Sequence, residues 1–416
     1  MFDIIKVLLR KDTRCFLRNI NRELKQDKNY SIFNLFRAVR HFGRHNKIGI
    51  YKNKIVLGFV IPPIPSKQFL TFLYATPEKS NIYTQNALLQ KTAPLTVSLG
   101  ITDKCGYNCI YCSKEGRTEG EELTKQEWID VIKILQDMGT PVITFVGGEP
   151  LLRDDIIEII QSVDDRSMCL LFTSGQRLTA AKAAELKAAG LYGVTVSLDS
   201  YNEAEQNFRR GSEYAFKNSV DGIKNAINAG LYTCASCVVS KEMLVWTEMK
   251  KLFDFFNNFG VHEIILIPPF NSGKWMGKND EFYSDADKKS LLRFLKKGNR
   301  KYKVKISSEL SNCNINYFGC AAGIQHSHIN PYGELFPCEI APLSFGNVRT
   351  GNLKKMWERM RDAIRKPHCQ CLADEAFLML EDEILPVGIE KSIEICELCK
   401  TDQYPDVYKK LLGGKH

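Results

Sequence analysis

From about Leu95 to Glu309, short apolar runs alternate with longer stretches of helical periodicity, the rhythm of βαβ units around a parallel sheet. The runs Leu95–Ile101, Val142–Val146, Cys169–Thr173, Gly193–Leu198, Thr233–Val239 and His262–Ile267 read as strands, with Val304–Ser307 as a further candidate. Between them, Thr124 followed by Glu127 forms a capping-box pattern, and Thr179 precedes the alanine-rich TAAKAAELKAAG that ends at Gly190. Such repeats, six or so, fall short of the eight that close a barrel. The expectation is therefore an α/β fold built on a partial (β/α)6 TIM-type barrel, with function at the C-terminal ends of the strands.

The flanks break this rhythm. Residues 1–93 read as a basic N-terminal α+β extension, helical in its first half and with a hairpin around Asn53 in Gly49–Val60. Residues 94–310 hold the barrel pattern. Residues 311–416 are cysteine-rich and short of regular elements, which predicts a core held by metal.

Composition narrows the class. With 416 residues, 44% hydrophobic and 25% charged, the chain is neither disordered nor a coiled coil. Its longest apolar stretch, Ile55 to Pro65, contains three prolines and is far shorter than the ~20 residues a membrane-spanning helix needs. The opening MFDIIKVLLRKD is interrupted by Asp3 and Lys6 and lacks a small-residue cleavage site, a poor match to a secretory signal. A reducing cytoplasm is the expected location, where clustered thiols bind metal more often than they form disulfides. Charge is lopsided: residues 1–60 carry 14 Lys and Arg against 4 Asp and Glu, a surplus of ten, while the rest is close to neutral. That end should attract something anionic, either an acidic peptide or the inner face of a membrane, with nucleic acid not expected. A solvated basic layer without a partner is the plain alternative.

The chemistry concentrates in CGYNCIYC directly after the first strand, which sets Cys105, Cys109 and Cys112 in a C-x3-C-x2-C array. Three thiolates on one loop can hold three irons of a [4Fe-4S] cube and leave the fourth open, whereas a structural zinc site would want a fourth ligand close by. After the second strand, VGGEP offers two glycines that permit close backbone approach and a carboxylate able to face an ammonium.

CGYNCIYC resembles the signature of the radical S-adenosylmethionine (SAM) superfamily, and the following motifs fit the resemblance. It implies that Tyr111 lies against the adenine, that Gly147, Gly148, Glu149 and Pro150 hold the amino group of SAM, and that Thr173 and Ser174 of FTSG contact the cofactor from the third strand. Ser197 and Asp199 of VSLDS resemble the ribose-contacting positions, Arg210 of FRRG the arginine that meets the carboxylate, and Val239 an apolar neighbour of the adenine. In the C-terminal segment, Cys320, Gly333 and Cys338 with INPYGELFPCE and FGNV resemble the opening of a SPASM or twitch domain, which holds auxiliary iron-sulfur clusters. Cys369 and Cys371 of CQC and Cys396 and Cys399 of CELC depart from the full seven-cysteine set, so one auxiliary [4Fe-4S] cluster is the expected count, a second is not, and zinc on the same thiols stays open. His326 and His328 fit strand alternation or an approach to that cluster. Cys15, Cys169, Cys234, Cys237 and Cys313 read as small core or surface residues.

The resemblance implies reductive cleavage of SAM to methionine and a 5'-deoxyadenosyl radical, hydrogen abstraction from an unactivated carbon, and an external electron donor such as flavodoxin or ferredoxin. Oxidative modification or maturation of a peptide or protein is the first substrate reading. A lipid or other membrane-surface substrate is the second, prompted by Phe2, Ile4, Ile5, Val7, Leu8 and Leu9 interleaved with bases. A non-catalytic iron-sulfur carrier is the third, against which the open iron argues.

Overall fold

The computed structural model describes residues 2–24, 47–74, 91–114, 120–312, 318–380, 383–399, 403–406 and 409. Cys313 and residues 25–46 of the basic end lie outside these. Helices α1 (Phe2–Leu9) and α2 (Lys11–Leu24) lead into strands β1 (Gly49–Tyr51) and β2 (Lys54–Val56), then α3 (Lys67–Tyr74). The hairpin falls where expected, and Lys52 and Asn53 both take positive φ, 46° and 61°, as a two-residue hairpin turn requires.

The barrel strands follow within one residue of their predicted ends: β3 (Thr96–Gly100), β4 (Val142–Val146), β5 (Met168–Thr173), β6 (Gly193–Ser197), β7 (Tyr232–Val238), β8 (Glu263–Ile267) and β9 (Lys305–Ser308). They pair in that order, all parallel. The helices on the outer face are α4 (Lys125–Met138), α5 (Ile156–Gln161), α6 (Ala180–Ala188), α7 (Glu203–Arg210), α8 (Ala215–Asn228), α9 (Trp246–Phe259), α10 (Asp285–Lys301) and α11 (Glu309–Asn312). The Thr124 capping box forms as read, its hydroxyl accepting from Glu127 N and the Glu127 carboxylate from Thr124 N. Thr179 caps α6 in the same position.

The sheet does not stop at the barrel. From the C-terminal segment, β10 (His326–Ile329) adds in parallel beside β3, and β11 (Leu335–Phe336) adds antiparallel outside it. The sheet thus has nine strands in linear order and stays open, a partial barrel whose first edge is covered by the following segment. Helices α12 (Leu353–Ile364), α13 (Leu372–Phe377) and α14 (Ile389–Leu398) complete that segment. A two-toothed staple joins it to the barrel: Arg349 Nε and Nη2 meet the Glu127 carboxylate at 2.6 and 3.0 Å.

One core fills the space between the strands and the helices, with Val97, Leu99, Ile143, Phe145, Trp128 and Phe253 fully enclosed. A second occupies the N-terminal end of the barrel, where Val56 and Phe59 pack among Val142, Met168, Leu170, Tyr232 and Cys234. Tyr51 stacks edge-on against Tyr232 at 5.2 Å and donates to Gly230 O at 2.7 Å. The hairpin region of the N-terminal extension is therefore the floor of the barrel. Beneath it lies a buried ion pair, Lys305 Nζ to Glu263 Oε1 at 3.0 Å, with Lys305 also donating to Leu57 O at 2.8 Å. Among the described residues, no helix is long and apolar enough to cross a membrane.

Candidate active site at the C-terminal strand ends

The cysteine loop occupies the mouth of the barrel after β3, and its backbone is clamped from several neighbouring loops. Gly148 N donates to Thr102 O at 2.7 Å and Glu149 N to Lys104 O at 2.8 Å. From the end of α7, Arg210 O and Arg209 O accept from Asn108 N and Ile110 N; from the loop after β8, Lys274 N donates to Cys112 O at 3.0 Å. The glycines are explained by this packing. A Cβ on Gly148 would stand 2.4 Å from Lys104 O, one on Gly211 2.4 Å from Asn108 O, and one on Gly273 2.1 Å from Cys112 O. Gly211 and Gly273 also take positive φ, 62° and 51°, so both the space and the backbone demand glycine there.

The clamped loop carries three thiols. Cys105 is exposed, and Cys109 and Cys112 are half-buried. Burial pushes the Cys105 thiol up, and the charges of Glu149, Cys109 and Cys112 push the same way. Cys109 is also raised by burial, with Arg210 opposing from 3.9 Å. Three thiols on one clamped loop, with Cys105 open to solvent, suit in number and chemistry a cluster that needs three protein ligands and one open iron.

Around this loop the predicted residues gather as two hydrogen-bonded groups. In the first, Glu149 is wholly buried and accepts from Thr173 Oγ1 and Ser174 N, both at 2.7 Å, from Ser174 Oγ and from Leu151 N. Burial pushes its carboxyl up while these donors pull it down. Pro150 opens the short turn that Glu149 caps. In the second, Asp199 accepts from Arg210 Nη2 at 3.0 Å, from Val238 N at 2.8 Å and from the Tyr111 hydroxyl, with Arg210 Nε in ion-pair contact at 2.7 Å. The guanidinium groups of Arg209 and Arg210 stand 5.5 and 5.3 Å from the centre of the Tyr111 ring, which meets Trp275 edge-on. Both carboxylates are thus engaged by protein donors in this state. Ser197 ends β6, its carbonyl accepting from Ser219 Oγ at 2.8 Å. Val239 is fully enclosed in the main core.

Several residues here carry no signal in the sequence pattern. Arg209 donates to Val238 O at 2.7 Å and so separates its role from that of Arg210. Gln176 packs against Gly106, and Trp275 arrives from a loop that has no motif. Only the doubled arginine of FRRG hinted at the first.

In the C-terminal segment, Cys320 is buried and Cys338 and Cys371 are half-buried, and burial pushes all three thiols up. Cys369 directs its sulfur at Gln403 O, 3.7 Å away; Cys396 lies buried on α14 and Cys399 directly follows it. Among the described residues, no three His, Cys, Asp or Glu side chains stand close enough to share a single metal ion. His326 and His328 are both on β10. His326 bonds Thr96 Oγ1 at 2.7 Å and Glu339, the neighbour of Cys338, at 3.1 Å; His328 bonds Ser98 Oγ at 2.9 Å. Cys169, Cys234 and Cys237 are buried and Cys15 is exposed, as read.

Comparison with known proteins agrees with this architecture. Residues 99–256 match the model of the radical SAM superfamily, and residues 320–400 that of the SPASM iron-sulfur cluster-binding domain. The chain belongs to the radical SAM superfamily, as an enzyme with a C-terminal SPASM domain. SAM and [4Fe-4S] clusters are its cofactors. It is similar to the AdoMet-dependent heme synthase of Methanosarcina barkeri, 27% identical over 77% of this chain and 91% of that one. In fold it is similar to Streptococcus suis SuiB bound to the precursor peptide SuiA, with a TM-score of 0.57, 17% identity and coverage of 67% and 68%. It is also similar to anSMEcpe with bound AdoMet, with a TM-score of 0.55, 16% identity and coverage of 78% and 99%.

Proposed function

We propose that Cys105, Cys109 and Cys112 hold the SAM-binding [4Fe-4S] cluster and that the enzyme oxidatively modifies a peptide or protein by radical chemistry. The clamped three-thiol loop carries this reading. When bound, the cluster and SAM supply the electron transfer, sulfonium cleavage and 5'-deoxyadenosyl radical that remove hydrogen from an unactivated carbon. The chain's own residues bind and orient. Gly147 and Gly148 let the backbone of the second strand end approach the cofactor, and Glu149 faces its ammonium. Thr173 and Ser174 aim that carboxylate from β5. Asp199 and Ser197 serve the ribose, Tyr111 and Val239 the adenine, and Arg210 the carboxylate, each exchanging a present protein contact for one to the ligand. Pro150 fixes the turn behind Glu149.

In the C-terminal segment, Cys320, Cys338 and Cys371 would be core ligands of one auxiliary cluster, with a fourth from Cys369, Cys396 or Cys399. The domain limits 1–93, 94–310 and 311–416 are retained as functional units, although β10 crosses into the barrel sheet. An external flavodoxin or ferredoxin supplies electrons, and the cytoplasm is the compartment.

The peptide reading draws support from the SPASM domain and from the fold shared with SuiB, whose partner in that structure is a precursor peptide. A second reading, chemistry on a heme precursor, is favoured by the heme synthase similarity across most of both chains. A third, a lipid substrate, follows only from the basic end. The test is anaerobic reconstitution, reduction with dithionite and measurement of 5'-deoxyadenosine, with Cys105, Cys109 and Cys112 replaced together by alanine. Undiminished 5'-deoxyadenosine from that variant rejects the site. Mass loss in a candidate peptide separates the first substrate reading from formation of heme absorbance in the second.

A further inference from the structure

The first two helices divide their surfaces in a way the barrel does not need. On the inner side, Val7, Thr13 and Ile20 are buried and Phe16 packs against Phe69 of α3, ring centres 6.4 Å apart, so the pair is seated on the protein. On the outer side of α1, Ile5, Leu8 and Leu9 form an i, i+3, i+4 stripe that is 46%, 38% and 61% exposed. In α2, Lys11, Arg14 and Arg18 follow at i, i+3, i+7, again along one face and all exposed, and Leu17 beside them is 36% exposed. Among the described residues none of these three bases has a side-chain partner, whereas Asp12, an exposed acid beside them, is already bound by Arg10 at 3.2 Å.

Exposed leucine and isoleucine cost solvation free energy with no return inside the molecule. A row of unpaired bases directly after them repels itself unless something negative lies opposite. The two features together match an anionic lipid surface, where apolar side chains enter the acyl boundary and bases meet headgroups. A free acidic peptide would satisfy the bases and leave the leucines in water; a nucleic acid would do the same.

We propose that α1 and α2 form a peripheral docking surface for an anionic bilayer, using Ile5, Leu8 and Leu9 as the inserted edge and Lys11, Arg14 and Arg18 as headgroup contacts. This surface lies outside the SAM site and does not depend on the substrate reading. It would place the barrel at the membrane whether the substrate is a lipid or a soluble peptide.

The full chain is mixed with vesicles of phosphatidylcholine containing about one third phosphatidylglycerol, and with phosphatidylcholine alone, at low and at about 0.3 M salt. The expected result is sedimentation with the anionic vesicles only, weakening with salt. Replacing Leu8 and Leu9 together by serine should lower the partition constant about tenfold or more, because two inserted side chains are lost. Reversing Lys11, Arg14 and Arg18 to glutamate should lower it more than about 100-fold, since each base near such a surface is worth roughly fivefold in binding. Both sets are exposed, so 5'-deoxyadenosine formation should persist in both variants and report that the barrel is intact. A wild-type chain that stays in the supernatant overturns the proposal. So does a Leu8→Ser, Leu9→Ser variant that binds as well as wild type, since the contact would then be charge alone and a soluble polyanion would fit equally.

Discussion

Gly148→Ala tests whether the clamp on the cysteine loop matters for chemistry. The added methyl carbon would stand 2.4 Å from Lys104 O and 2.6 Å from Asp103 O, both backbone atoms. An ordinary carbon to oxygen contact is about 3.3 Å, so the loop bearing Cys105 has to retreat by about 0.9 Å. It cannot retreat freely, because Glu149 N to Lys104 O and Gly148 N to Thr102 O fasten it on this side and Arg209, Arg210 and Lys274 fasten it on the other. Overpacking of this kind costs about 1–3 kcal/mol, which leaves the barrel folded. A displacement near 1 Å at reacting groups costs on the order of 100-fold in rate. The expected outcome is a folded protein, judged by its far-UV spectrum, whose 5'-deoxyadenosine formation falls about 100-fold and whose SAM-site iron becomes labile. Gly388→Ala is the control, because that glycine caps α14 at φ −70° with open space where a methyl would go. Wild-type cleavage by Gly148→Ala, at wild-type iron content, would falsify the argument that close approach is why glycine stands there.

Three further outcomes follow from other parts of the molecule. Lys305→Met leaves the Glu263 carboxylate buried at the barrel floor with Ser307 and Tyr232 as its remaining donors, and should destabilise by about 3–5 kcal/mol, read as a Tm lowered by several degrees. Glu127 is held down to about 2 by Arg349 and by Thr124 N. This stabilisation is present above the ordinary carboxylate range and is lost as pH falls through it towards 2, so Glu127→Gln should flatten the acid limb of the stability curve. Both partners are about one third exposed, so the effect should stay below about 1 kcal/mol. Reconstituted protein should hold about eight irons, and replacing Cys320 and Cys338 by alanine should leave about four; a count near four in both would reject the auxiliary cluster.

The strands were legible because each is buried on both faces and therefore reads as an unbroken apolar run with polar punctuation; Val142–Val146 needed no correction. The capping box at Thr124 was legible because its hydrogen bonds are local. What the pattern could not carry was long-range. The run from Gly49 to Val60 gives a hairpin by its turn, but nothing in it says that Val56 and Phe59 fill the bottom of a barrel, against Val142 and residues still farther along the chain. His326 and His328 betray a strand by alternation, yet its partner, β3, lies more than 200 residues earlier. At the site, motifs located Glu149 and Asp199, while their present engagement by Ser174 and by Arg210 follows only from the folded geometry.

The position of β10 has a consequence for where substrate specificity resides. The floor of the barrel is filled, and the edge beside β3 is covered by β10 and β11. The cysteine loop therefore faces outward at the C-terminal strand ends, where Asp103 and Lys114 from its two ends meet His328, Asn330, Phe336 and Glu339 from the C-terminal segment. Between them lies a cavity of about 30 Å³, room for about two waters. On the proposed function a substrate carbon must come close to a cofactor on this loop, so the wall opposite has to be supplied by this segment or move with it. The proposed SAM-binding side is fixed by the backbone clamp, which depends on glycines and on carbonyls. Relatives with different substrates can therefore keep the clamp and vary the wall. Exchanging residues 330–345 for those of a relative should alter which substrate is modified while substrate-free SAM cleavage stays within severalfold; loss of cleavage together with specificity would mean that this wall also positions the cysteine loop.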